Sequence, residues 1–295
     1  RRSGGSTRAL ERVHARVRTR ACSQALAHEF VCVERAPDLM PAVASTTVPV
    51  EVGGGDHARR IHNCDQRAPF IELEHPALPC KLSVEQRGAT DPGFVQGTSS
   101  CLWPVATYFA RLLCDRPELV RGLQVLELGA GIGLVGAAAA ALGARRVVLT
   151  DCDGAIPLLE RNRARLADDG VANVEVVCVN WGDVSHHEDA LSSGAGAARE
   201  GYDVILISDC IVGGFDTDRL WQSCHALLSK RPSAQLIMAY EFREEWETVG
   251  MFIHSASEAG LDCTHAPIPE DDDDDDSEMF LYTFRWRDAA TVPPT

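Results

Sequence analysis

No stretch of this sequence stays apolar for the roughly 18 residues that a membrane-crossing helix needs. The longest apolar run, 134–144, is too short and is rich in alanine, so no membrane partner is expected. Lysine is nearly missing. Arginine makes up 26 of the 28 basic residues, which are outweighed by 43 acidic ones, and the net charge is −15. Phosphate affinity rests on clustered Lys and Arg, so no nucleic-acid partner is expected. The acidic balance suits a basic partner instead. There are 11 cysteines but no Cys-x-x-Cys spacing, and Cys178 and Cys210 sit in apolar runs. A free thiol there behaves as a small hydrophobe. A disulfide framework and a zinc ribbon are therefore not expected, and a reducing, cytoplasmic setting is. His186 and His187 lie in a polar stretch without a further ligand at metal spacing. They read as a loop pair, and no metal is expected.

What is present is a chain of 295 residues, 45% hydrophobic, enough for one large domain with an appendage. Residues 1–60 hold ten arginines against six acids, a net of +4, which leaves the remainder at −19. Seven of those arginines fall in the first 20 positions, beside Ser3 and Ser6. Such a segment resembles a transit peptide, and an organelle location is kept as the alternative. Since arginine replaces lysine throughout the chain, the preferred reading of 1–60 is a poorly ordered extension. Gly53-Gly54-Gly55 reads as the end of that linker, and 61–295 as the folded, monomeric domain.

Beyond the linker, strands and helices alternate. Extended pieces in 71–84 are broken by Pro76 and Pro79, and a helix opens near Pro104, where proline suits the first turn. Apolar strands are expected at 124–128, 146–150, 174–179, 202–208 and 234–240. Helical spacing of Leu158, Leu159 and Leu166, of Leu220, Cys224 and Leu227, and of Val249, Phe252 and Ala256 marks helices between and after them. Strands that are apolar throughout belong to a parallel sheet covered on both faces. Residues 261–268 and 279–287 are two more strands, separated by an acidic run at 271–276 with no helix between, so they pair antiparallel. The expected fold is α/β: a doubly wound, mostly parallel seven-stranded sheet with a reversed strand near its edge. The acidic run itself reads as a solvated loop.

The central signal is the segment 125–136, Val-Leu-Glu-Leu-Gly-Ala-Gly-Ile-Gly-Leu-Val-Gly, a strand, a glycine turn and a helix in succession. Gly131 to Gly136 satisfies Gly-x-Gly-x-x-Gly, and Asp151 lies twenty residues on, which fits a dinucleotide as well as an adenosyl cofactor. Glu127 separates the two. An acid just before the glycines repels a pyrophosphate but can accept from the ammonium of a methionine-derived tail. S-adenosylmethionine is the expected cofactor.

Four pieces in order resemble one family, the family-16 seven-strand protein-lysine methyltransferases, which include the valosin-containing-protein lysine methyltransferase group. Residues 97–106, with Trp103-Pro104, resemble its tryptophan–proline segment. Leu126 to Gly133 resemble its Leu-Glu-Leu-Gly-Ala-Gly-Thr-Gly motif, with Ile132 for threonine. Asn180-Trp181-Gly182 and Tyr240-Glu241-x-Arg243 resemble its pieces after the third and fifth strands. The resemblance implies a class I, Rossmann-like methyltransferase acting on a protein lysine. It implies cofactor contacts from Trp103, Gly129, Ala130, Gly131, Asp151, Trp181 and Ser208, beside Glu127. Asp209 begins the family's Asp-x-x-Tyr motif, but the fourth position is Val212, followed by two glycines. Asp209 is the expected catalytic residue and Glu241 the next. The departure at Val212 leaves open a different nucleophile, or a cofactor-binding scaffold without catalysis.

Overall fold

The computed structural model describes residues 50–52, 59–62, 68–87, 98–194, 197–211, 215–242, 246–268 and 279–287. Residues 1–49 of the expected extension, Gly53-Gly54-Gly55, the acidic run 271–276, Val212 and Arg243 lie outside the described residues. An antiparallel sheet comes first: β1 (Val50–Val52), β2 (Arg59–His62), β3 (Phe70–Leu73) and β4 (Leu82–Glu85), in that spatial order. Sheet structure thus begins ahead of the boundary read at residue 60, because Val50-Glu51-Val52 pairs with Ile61-Arg60-Arg59. In β3 and β4 every second side chain (Ile71, Leu73, Leu82, Val84) is fully buried, the half-buried pattern of period two.

The main sheet has seven strands: β5 (Gln124–Leu128), β6 (Arg146–Asp151), β7 (Val174–Cys178), β8 (Val204–Ser208), β9 (Gln235–Glu241), β10 (Leu261–Pro267) and β11 (Met279–Trp286). Their order is β10-β11-β9-β8-β5-β6-β7. β5 to β9 pair in parallel, and β11 runs antiparallel to both β9 and β10. The expected doubly wound sheet with one reversed strand near its edge is what the chain forms.

Among the described residues, six α-helices cover it: α1 (Pro104–Asp115), α2 (Leu134–Ala141), α3 (Ile156–Asp168), α4 (Val184–Ser192), α5 (Thr217–Leu227) and α6 (Trp246–Glu258). Alternation along each strand sends neighbouring side chains into two different cores. In β8, Val204 and Leu206 join the core beneath α1, α2 and α3, with Phe109, Leu134 and Leu159. Ile205 and Ile207 join the core beneath α4, α5 and α6, with Ala190, Leu220 and Phe252. The strands therefore read as continuous apolar runs because both faces are buried.

One reading needs correction. His186 and His187 are not in a loop but in the first turns of α4. Asp183 caps that helix, its Oδ1 accepting from the Ser185 and His186 amides at 2.9 and 3.4 Å. The pattern was masked because α4 buries only Ala190 and His187, so its inner face carries a histidine where an apolar residue would announce a helix.

α2 lies so close to the sheet that Gly136 has no room for a side chain. A Cβ there would meet Leu149 Cδ2 at 2.2 Å and Glu127 Oε2 at 2.7 Å, whereas one on Gly250, exposed on α6, meets nothing within 4 Å. Gly136→Ala should lower the unfolding free energy by about 1–3 kcal/mol through overpacking. Gly250→Ala should raise it by about 0.5–1 kcal/mol by restricting the unfolded chain. Urea denaturation of the two variants beside wild type checks both signs.

Candidate active site

The sequence order of the strands reverses between β5 and β8, the place in an open α/β sheet where loops diverge and leave a crevice. The loop after β5 is held there by its neighbours. The Ala130 amide donates to the Thr150 carbonyl (2.9 Å), the Gly131 amide to Asp151 Oδ2 (2.8 Å), and the Thr150 hydroxyl to the Glu127 carbonyl (2.7 Å). From α3, the buried Asn162 Nδ2 donates to the Ile132 carbonyl at 2.9 Å. Gly129 takes a left-handed φ of +67°. A Cβ on it would stand 2.6 Å from Cys210 Sγ and 3.2 Å from Trp181 Cζ2. The loop thus has a glycine where two side chains close over its backbone, the first use of glycine in such turns.

Glu127 departs from the expectation of an open contact with a ligand ammonium. It is 1% exposed, and its Oε2 accepts the Gly136 amide at 2.8 Å, tying β5 to the start of α2. Burial pushes its carboxyl up to about 8; the Asp151 charge adds to the rise and the Gly136 amide opposes it. Asp151 ends β6 at 7% exposure. Its Oδ2 accepts from Gly131, and its Oδ1 accepts from the Cys152 amide (2.8 Å) and the Ser99 hydroxyl (3.1 Å). Burial raises its pKa while these donors oppose the rise.

The remaining expected residues also reach this edge. Trp103 stands immediately before α1, and Trp181 follows β7 with its ring centroid 5.9 Å from that of Phe215. Ser208 ends β8, and its buried hydroxyl has no hydrogen-bond partner among the described residues. Asp209 follows with φ +55°, the only positive value at a non-glycine position among the described residues. Its amide donates to the Ala239 carbonyl (2.9 Å), which sets it beside the end of β9, where Glu241 is the last residue. Left-handed conformations at such positions mark functional strain more often than chance. Cys210, which sequence reasoning missed, sits at the centre. Burial and then the charges of Asp151, Asp209 and Glu127 raise its thiol pKa well above the usual range. Its Sγ lies 3.5 Å from the Leu128 carbonyl and 3.4 Å from that of Ser208, between the ends of β5 and β8. Ser99 was missed too, although it lies four residues before Trp103 within the tryptophan–proline segment.

This arrangement fits a cationic adenosyl ligand. Asp151 offers a carboxylate to a diol, the orphaned Ser208 hydroxyl can take a partner, and the Asp151 charge repels a pyrophosphate. The family model that matches residues 91–258, over half of the chain, is described as lysine methyltransferase. The chain belongs to that family. Among its relatives, the mouse histone-arginine methyltransferase METTL23 is 30% identical over 168 residues, 57% of this chain and 61% of that protein. The Eremothecium gossypii protein N-terminal and lysine N-methyltransferase EFM7 is 31% identical over 205 residues, covering 65% and 75%. The Xenopus tropicalis protein N-lysine methyltransferase METTL21A is 38% identical over 136 residues, covering 46% and 57%. A solved S-adenosylmethionine-dependent methyltransferase from Agrobacterium tumefaciens superposes with a TM-score of 0.50 at 16% identity, over 81% of this chain and 77% of its own. The fold is that of class I methyltransferases.

Glu127 gives this site a signature in stability. Its folded pKa, about 8, lies above the ordinary carboxylate value, so the native state holds a proton that the unfolded chain releases. Stability from this group is full below the unfolded pKa and is lost as pH rises from about 4.5 to about 8. Glu127→Gln removes that loss. Relative to wild type, the ligand-free variant should gain roughly 1–3 kcal/mol between pH 5.5 and 8.5 by urea denaturation. A difference that does not change with pH would place the titrating group elsewhere.

Proposed function

We propose that this protein is an S-adenosylmethionine-dependent N-methyltransferase acting on a lysine side chain of a protein. The observation that carries the reading is the glycine loop at the crossover between β5 and β8, bonded to Asp151 and covered at Gly129 by Trp181 and Cys210. The residues that would hold the cofactor are Gly129, Ala130 and Gly131 at its backbone-hugging part, Asp151 at the ribose, and Trp103, Trp181 and Ser208 around it. Glu127 would act from below, by fixing the loop through its bond to the Gly136 amide. When bound, the cofactor supplies an electrophilic methyl group on a sulfonium.

What remains for the chain is positioning and proton management. Alignment of nucleophile and methyl can contribute about 7–11 kcal/mol. A lysine ammonium with a pKa of about 10.4 must also be neutralised, at a cost of roughly 4.6 kcal/mol at pH 7. Asp209, which has a left-handed φ and bonds β9 through its amide, would draw the ammonium in and orient the amine. Glu241, at the end of the adjoining strand, would share that work. A basic protein segment suits the net charge of −15.

The named relatives act on different nitrogens: arginine for METTL23, and lysine or the amino terminus for EFM7. Arginine is therefore the second reading, left open by Val212 where the family's motif has tyrosine. Incubation with methyl-labelled cofactor and a cell lysate should label protein, and hydrolysis should place the label on lysine. Label on arginine would support the second reading, and label confined to small molecules would overturn both. Asp209→Asn should then keep S-adenosylhomocysteine affinity within a few-fold while transfer falls on the order of a hundredfold. Transfer at the wild-type rate would move the catalytic role to another residue.

A further inference from the structure

Trp181 is carried on a three-residue turn, Asn180 to Gly182, and both of its flanking amides are bonded through the histidine pair of α4. The Asn180 amide donates to His186 Nδ1 at 3.1 Å. The Gly182 amide donates to the Ser223 hydroxyl at 2.9 Å, and that hydroxyl lies 2.9 Å from His187 Nε2. Ser223 Oγ also lies 3.1 Å from the Arg219 carbonyl. His187 thus shares the Ser223 hydroxyl with the Gly182 amide. It is 6% exposed, and burial lowers its pKa, so this side of the turn stays fixed.

On the other side of the turn, His186 Nδ1 is the acceptor of the Asn180 amide, and Asp183 Oδ2 lies 3.8 Å from the same nitrogen. The turn borders a cavity of about 730 Å³ between the starts of α4 and α5, lined by Trp181, Asp183 and Gln222 among others. The indole has room to move if the turn is released.

We propose that His186 is a positioning residue for Trp181: through Nδ1 it holds the Asn180–Gly182 turn so that the indole covers Gly129. The consequence for binding rests on the cofactor reading above; the consequence for the indole does not. Two measurements keep them apart. In ligand-free protein at pH 8, the Trp181 indole N–H resonance, assigned with Trp181→Phe, should move in His186→Ala. His186→Asn places an amide oxygen where Nδ1 stands, so in that variant the resonance should return to its wild-type position. S-adenosylhomocysteine affinity should fall by about three- to tenfold in His186→Ala and recover in His186→Asn, the worth of one hydrogen bond. An indole resonance that stays put in His186→Ala, or moves equally in both variants, overturns the proposal. So does equal binding by wild type and His186→Ala. If S-adenosylhomocysteine binds neither protein, the cofactor reading fails, and the indole resonance alone decides the role of His186.

Discussion

The site depends on how the loop after β5 is pinned to the end of β6. Two amides of that loop are spent on Thr150 and Asp151, and the Thr150 hydroxyl returns a bond to Glu127. The Thr150 bond is buried and the Gly131 bond partly so, and a buried group left without its partner costs about 1–3 kcal/mol. They hold the glycines at the crevice before any ligand arrives. Preorganisation of this kind is what lets a binding site spend little on ordering itself.

The same pinning explains the charge pattern. Glu127 and Asp151 are drawn below and beside the loop by amide donors, and Asp209 comes from β8 on the other side of the switch point. Burial raises the Glu127 carboxyl, and the Asp151 charge adds to that rise unless a cation arrives. A sulfonium with its ammonium tail answers that demand, and a pyrophosphate worsens it. The aromatic side chain above Gly129 then closes the site, and its support reaches back to α4 and α5 through Ser223.

Much of this was legible in the residues. The alternation of apolar strands with helices implied the doubly wound sheet, because a strand buried on both faces has no polar side to display. The missing helix between β10 and β11 implied the reversed strand. Glu127 was located but its bond was not, since sequence says which strand an acid ends and not which amide lies opposite; the answer required α2 to approach within van der Waals contact at Gly136. α4 was invisible because a buried histidine stands on its inner face. Ser99 and Cys210 were overlooked because neither stands out by residue type, and only the folded chain brings them to Asp151 and Gly129.

The account stands or falls on what the pinned loop holds. Calorimetric titration of the purified chain with S-adenosylhomocysteine, and separately with NADH, asks that directly. Saturable binding of S-adenosylhomocysteine to wild type is predicted, with at least a tenfold loss in a folded Asp151→Ala variant and no binding of NADH; one charge-assisted contact of about 1.5–3 kcal/mol accounts for a loss of that size. Binding of NADH with none of S-adenosylhomocysteine would contradict the account.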